Sequence, residues 1–66
     1  MIYAIHTNDN FTLGMDIEVL ENLKQINVVI TLHNHMNGKK DRRSYLASDF
    51  PQALSKYKEW KRVLFD

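Results

Sequence analysis

Two histidines in alternate positions are the residues of this sequence that most resemble a metal-binding pair. His33 and His35 are separated by one residue, and alternate residues of a β-strand lie on one face, about 6.6 Å apart. A zinc site uses three or four protein ligands, so a third ligand would have to come from His6 or a distant carboxylate. Lysine and arginine side chains nearby would repel a cation. We therefore predict no metal and no other cofactor, and a histidine metal site stays as an alternative.

Ser44 is the one candidate nucleophile that the predicted strands bring near a histidine, because it would lie beside Thr31 and His33 on the neighbouring strand. A serine–histidine contact acts in catalysis only when an acid orients the histidine and an oxyanion hole faces the serine. The sequence indicates neither group, and it contains no cysteine that could act instead. A chain of 66 residues also has little material to enclose a pocket. We predict that the protein is not an enzyme.

Charge is divided unevenly along the chain, although the formal net charge is only +1. Residues 1–33 contain one lysine against four acidic residues, and residues 34–66 contain eight basic residues against four acidic ones. Four of the basic residues lie close together, and these are Lys39, Lys40, Arg42 and Arg43. Such a cluster could bind nucleic acid phosphates, yet charged residues on an exposed strand also prevent that strand from pairing with other chains. Nucleic-acid binding through residues 39–43 is therefore an alternative function.

Hydrophobic periodicity predicts the elements that position these residues. Residues 2–7 and 27–35 are rich in β-branched and aromatic residues and predict strands, whereas residues 11–15 alternate in polarity and are either a second strand or the approach to a helix. From Asp16 the spacing of Val19, Leu20, Leu23 and Ile26 predicts a short amphipathic helix. Residues 42–47 predict a returning strand. A helix is predicted to follow from Asp49, with apolar residues at helical spacing as far as Leu64.

The dipeptide Asn37-Gly38 predicts a tight hairpin turn, because both residues tolerate a positive φ angle. If these two residues form the turn, Thr31 lies opposite Ser44, and the following pairs are His33 with Arg42 and His35 with Lys40. Opposed residues point to the same side of the sheet. Val28, Ile30, Leu32, Tyr45 and Ala47 would then face the core. A four-residue loop would shift the pairs and keep these sides, whereas a loop with an odd number of residues would reverse one strand.

These elements predict a single α+β domain over residues 1–66, in the order β(β)αββα. A small antiparallel sheet of three or four strands would carry both helices on one face and leave the other face open. The sequence contains no long apolar run and no signal-like segment, so we expect a soluble, cytoplasmic protein that does not bind membranes.

The open face is the predicted binding surface. We expect a small non-enzymatic protein that modulates or inhibits a macromolecular partner, in the first place a protein, by occupying its surface. Homo-oligomer formation through the same face or edge would be compatible with this pattern. The residues predicted to contact the partner are Val29, Thr31, His33, His35, Lys39, Lys40, Arg42, Arg43, Ser44 and Leu46.

Overall fold

The computed structural model describes residues 2–65 and consists of an antiparallel sheet with one α-helix on one of its faces. The four strands lie in the order of the chain, so each strand pairs with its neighbours in sequence. The strands are β1 (Ile2–Thr7), β2 (Phe11–Leu20), β3 (Gln25–Asn34) and β4 (Lys40–Leu46), and the helix is α1 (Phe50–Phe65). Short 3-10 turns at Glu21–Leu23 and Ala47–Asp49 precede β3 and α1. The predicted α+β class and the antiparallel sheet are confirmed.

The helix predicted from Asp16 to Ile26 is wrong, so the sheet carries one described helix rather than two. The second strand does not stop at Met15 but continues to Leu20, and residues 21–24 turn the chain into β3. The turn ends at Lys24, which has a left-handed φ of 50°. Alternate residues 13, 15, 17 and 19 of β2 pair with residues 32, 30, 28 and 26 of β3. All eight of these side chains are apolar and share one side of the sheet, so the apolar residues of this segment follow the two-residue period of a strand.

The hairpin between β3 and β4 has a longer loop than the predicted two-residue turn. The amide of Asn34 donates to the carbonyl of Lys39 at 2.9 Å, and the amide of Gly38 donates to the carbonyl of Asn34 at 2.9 Å. Four residues therefore form the loop, and among the described glycines Gly38 takes a positive φ of 71°. The observed pairs are Thr31 with Arg42, His33 with Lys40 and Val29 with Ser44. The predicted pairs are shifted, but the side chains within β3 and β4 keep the sides that were predicted. Ala47 is the exception: β4 ends at Leu46, and Ala47 is exposed in the 3-10 turn that follows rather than in the core.

The core lies between α1 and the central part of the sheet. Leu13 and Met15 of β2 and Ile30 of β3 are fully or almost fully buried. Ala53 and Tyr57 are the buried residues of α1, one turn apart on the same side of the helix. Because Ala53 has only a methyl group, it lets the helix approach the sheet closely. Partly buried side chains surround this centre, and these are Ala4, Leu32, Tyr45, Phe50, Leu54, Trp60 and Phe65.

Polar contacts fix the position of α1 along β1. The hydroxyl of Tyr57 lies 2.6 Å from Nδ1 of His6 and 3.4 Å from the carbonyl oxygen of Leu13. At the end of the helix the side-chain amide of Asn8 donates to the carbonyl of Leu64 at 3.1 Å, while its oxygen accepts from the amides of residues 10 and 11. The turn between β1 and β2 is therefore tied to the last turn of the helix.

We expect Tyr57→Phe to lower the free energy of unfolding by about 1 kcal/mol, because it removes the hydroxyl that contacts His6 and Leu13. Tyr3→Phe is the matched control: Tyr3 is half exposed and its ring keeps its edge contact with Phe50, so this change should be nearly neutral. Urea unfolding at neutral pH measures both effects. Equal stability of the Tyr57→Phe and wild-type proteins would contradict the assigned hydrogen bonds.

The difference in stability between the wild type and Tyr57→Phe should depend on pH. Burial raises the pKa of Tyr57 above that of an exposed tyrosine. The folded state therefore favours the neutral phenol, and this contribution is complete below the unfolded pKa and decreases as the pH rises above about 10. The stability difference between the wild type and Tyr57→Phe should narrow above that pH. A difference that stays constant through the alkaline range would show that the phenol titrates alike in both states.

Candidate binding surface

The face of the sheet that points away from α1, here called the open face, is not covered by any described element. It contains side chains from all four strands, because opposed residues of neighbouring strands share a side. From β1 and β2 the open face contains Ile2, Ile5, Thr7, Thr12, Gly14, Asp16, Glu18 and Leu20. From β3 and β4 it contains Gln25, Asn27, Val29, Thr31, His33, Lys40, Arg42, Ser44 and Leu46. Hydroxyl, amide and imidazole groups thus alternate with a few aliphatic side chains.

An ion pair crosses the open face from β4 to β2. Nη2 of Arg42 lies 3.0 Å from Oε2 of Glu18, and both side chains are substantially exposed. On β3, Arg42 lies opposite residue 31 and Glu18 lies opposite residue 27. These positions are two residues after and two residues before Val29. The pair therefore passes over Val29, which is only 4% exposed although it belongs to the open face. Val29, a predicted contact residue, can meet a partner only if this ion pair moves aside.

A shallow depression of about 160 Å³ lies on the open face where β2 has no side chain. Gly14 pairs with Ile5 on one side and with Thr31 on the other, so these two side chains form opposite walls. Ile2 contributes to the lining near one end and Thr12 near the other. A Cβ atom at position 14 would lie 3.3 Å from Oγ1 of Thr31. The absence of a side chain at Gly14 therefore creates the depression, and its lining is mostly apolar apart from the threonines and Asp16.

His35 follows the end of β3 and extends the open face through hydrogen bonds to the opposite hairpin loop. Its Nδ1 lies 3.2 Å from the carbonyl oxygen of Asp9, and its Nε2 lies 2.7 Å from the hydroxyl of Thr12. A carbonyl oxygen can only accept, so Nδ1 carries a proton. In the neutral ring Nε2 then accepts from the hydroxyl of Thr12, which lies 3.0 Å from the hydroxyl of Thr7. Both ring nitrogens of His35 are therefore engaged.

The two predicted histidines are close together, but no third metal ligand converges with them among the described residues. The rings of His33 and His35 meet edge to face, with centroids 5.2 Å apart. The nitrogen lone pair that a metal would need from His35 points at Thr12. Within residues 2–65 no three histidine, cysteine or acidic side chains converge in a way that could hold an ion. His6, the third ligand considered from the sequence, lies on the helix side and contacts Tyr57.

The structure divides the predicted basic cluster between the two sides of the sheet. Lys40 and Arg42 lie on the open face, whereas Arg43 pairs with Ile30 and lies on the helix side. Lys39 directly precedes β4, and all four side chains are exposed. Arg42 is already paired with Glu18. The four residues therefore do not form one continuous positive surface.

The other predicted contact residues lie where the sequence placed them. Thr31, Ser44 and Leu46 are exposed on the open face, and His33 is partly exposed there. The sequence prediction missed the contribution of β1 and β2, namely Ile2, Ile5, Thr12, Gly14 and Glu18. Strict alternation of apolar side chains from Leu13 to Val19 is the signal that could have revealed it, since such alternation leaves the intervening residues on the opposite face.

Comparison with family models, curated proteins and solved structures found no significant match to this chain. In the part of the chain that the structure describes, no helix is long and apolar enough to cross a membrane. The function must therefore be inferred from the surface itself.

The geometry at His35 predicts that Zn²⁺ leaves the melting temperature of the protein unchanged. We expect ¹⁵N spectra of the imidazole groups to show a proton on Nδ1 of His35, because the carbonyl of Asp9 accepts there. His35→Ala is the control for any metal effect. A rise in melting temperature with Zn²⁺ that disappears in His35→Ala would contradict the prediction.

Proposed function

We propose that this protein is a non-enzymatic binding protein that modulates or inhibits a protein partner by occupying the partner's surface with the open face. The observation that carries the proposal is the uncovered four-stranded face with its depression at Gly14. Exposed Ile2 and Ile5 stand at this depression, and hydroxyl and imidazole groups lie around it. A central apolar contact with a polar rim is the usual composition of a protein–protein interface.

The distribution of aromatic residues favours a protein partner over nucleic acid. The chain has three tyrosines, three phenylalanines and one tryptophan. In the described structure each of them belongs to α1 or lies on the helix side of the sheet, so none offers a platform on which bases could stack on the open face. The basic residues are divided between the two sides, and Arg42 is paired with Glu18. Nucleic-acid binding is therefore the alternative outcome of the experiment below.

The proposed contact has two parts. A small apolar side chain of the partner fills the depression between Ile5 and Thr31, and polar groups of the partner bond to the surrounding hydroxyl and imidazole groups. His33, His35 and Ser44 supply donors and acceptors on one side of the depression. Leu46, Lys39 and Lys40 lie at the periphery, where contacts adjust orientation and association rate more than affinity.

The test is a pull-down from a nuclease-treated lysate with the immobilised full chain. The amount of partner protein retained by the wild type is compared with the amount retained by each variant. Gly14→Val fills the depression, and the strand conformation at position 14 accepts a side chain because Gly14 has no positive φ. Thr31→Arg places a large side chain at the opposite wall. Each change should weaken retention of the same discrete protein more than tenfold, which corresponds to about 1.4 kcal/mol of binding free energy.

Ser55→Arg on the exposed side of α1 is the matched control and should leave retention unchanged. The melting temperature of each variant establishes that it is folded. Equal retention by wild type, Gly14→Val and Thr31→Arg would contradict binding through the open face. Recovery of nucleic acid in an untreated lysate, lost at high salt with no protein retained, would favour the alternative function instead.

A further inference from the structure

The two edges of the sheet differ in their chemistry. The edge strand β4 contains four charged residues among its seven, which discourages another strand from pairing with it. The edge strand β1 has the sequence IYAIHT and contains neither a lysine, an acidic residue nor a proline. An irregularity between Ile2 and Ala4 disturbs the start of β1, but residues 4–7 pair regularly with β2. The regular part of β1 is therefore an edge without the usual protection.

The backbone of β1 presents hydrogen-bonding groups outward at alternate residues. The amide of Asn8 donates to the carbonyl of Phe11 at 2.9 Å, so the backbone of Asn8 faces β2. Alternate residues of an antiparallel strand face the same neighbour, so His6 and Ala4 also face β2. The amide and carbonyl groups of Ile5 and Thr7 consequently point away from the sheet, where a further strand could pair with them.

Large apolar side chains accompany these outward backbone groups. Ile2 is 69% exposed and Ile5 is 59% exposed on the open face, while Tyr3 is 54% exposed and its ring contacts Phe50 on the helix side. A strand added at β1 would cover apolar surface on both sides of the sheet as well as satisfy backbone groups.

We propose that β1 pairs with β1 of a second copy of this chain, antiparallel, about a two-fold axis at Ile5. In this register Ile5 lies opposite the second copy's Ile5 and exchanges two backbone hydrogen bonds with it, and Ala4 lies opposite His6. Because the paired residues are neutral or aliphatic, no like charges meet. Self-pairing of β4 centred on Arg43 would instead bring two arginines together.

The geometry of the rest of the fold accommodates this dimer. Helix α1 packs mainly on β2 and β3, although side chains of β1 also contact it. With strands about 4.8 Å apart, the two helices of an eight-stranded sheet would be about 19 Å apart, which exceeds a helix diameter of about 10 to 12 Å. Tyr3 and Phe65 of both copies would lie in the space between the helices.

The proposed pairing also gives an assembly of two copies to which no further chain is added. Pairing of β1 with β4 of another chain would add chains without limit, but the charged residues of β4 oppose it. A two-fold axis perpendicular to the sheet leaves both open faces on the same side, so the dimer doubles the surface described above. The dimer does not depend on the proposed function: a monomer that still captures a protein would remove only the dimer.

Sedimentation equilibrium over a wide range of protein concentration tests the dimer. The wild type should reach twice the chain mass of 7.8 kDa. Ile5→Lys places two like charges at the two-fold axis and should sediment as a monomer, because the affinity of self-association falls at least tenfold. Ser44→Lys adds the same charge to the open face at β4 and should still form the dimer. A wild type that stays monomeric at all concentrations, or a dimer that survives Ile5→Lys, would overturn the proposal.

Mixing of charge variants tests the register directly. Ile5→Glu alone should also be monomeric, whereas an equimolar mixture of Ile5→Glu and Ile5→Lys should restore the dimer because opposite charges then meet at the axis. Hydrogen exchange of the Ile5 and Thr7 amides in the wild type should slow as the protein concentration rises. Failure of the mixture to associate, or exchange that is independent of concentration, would overturn the two-fold register at Ile5.

Discussion

Burial of Ala53 and Tyr57 against the centre of the sheet is the contact on which the rest of the described structure depends. A sheet needs an apolar layer on at least one face, and α1 is the element that supplies it. Ala53 allows close approach, while Tyr57 adds a large ring and a hydroxyl that bonds to the strands. In a chain of 66 residues, where apolar burial barely exceeds the loss of chain entropy, this contact determines whether the strands stay together.

One helix cannot cover the whole of this sheet. The 16 residues of α1 extend about 24 Å, whereas the ten residues of β2 and of β3 extend about 33 Å. The neighbouring strands are also shorter: β1 pairs with β2 only as far as Asp16, and β4 pairs with β3 only as far as Asn27. The end of the β2–β3 hairpin therefore projects as two strands, and Val19, Leu23 and Ile26 remain exposed there. The exposed apolar residues follow from this difference in length.

The sequence contained enough information for most strands and for the final helix, but not for residues 16–26. Val19, Leu20, Leu23 and Ile26 fit a helical stripe, and only the longer alternation from Leu13 to Val19 favours a strand. The turn between β2 and β3 carries no glycine or proline, because Lys24 takes the left-handed conformation that glycine usually provides. Tight turns without such residues have little local signal, so the pairing of β2 with β3 becomes visible only when both strands are considered together.

The sequence correctly predicted which face of the sheet each side chain of β3 and β4 occupies, although the predicted hairpin loop was too short. Two residues were predicted in the hairpin loop and four are observed, yet both numbers are even and leave each side chain on the same side. The predicted candidate surface on these strands therefore coincides with the open face. Gly14 and Ile5 were not included, because the pattern of residues 11–15 left open a second strand or the approach to a helix, and their place on that face depends on the strand.

The charged residues of β4 are better explained by protection of an edge than by recognition of phosphate. A phosphate-binding surface would gather its cations on one side, whereas strand alternation sends Lys40 and Arg42 to one side and Arg43 to the other. Protection of an edge benefits from charges on both sides, since an incoming strand would have to desolvate them all. β1, by contrast, has no lysine, arginine or acidic residue on either side. The two edges therefore differ in charge, and this difference is what the proposed pairing of β1 with β1 of a second copy requires of an assembly that stops at two.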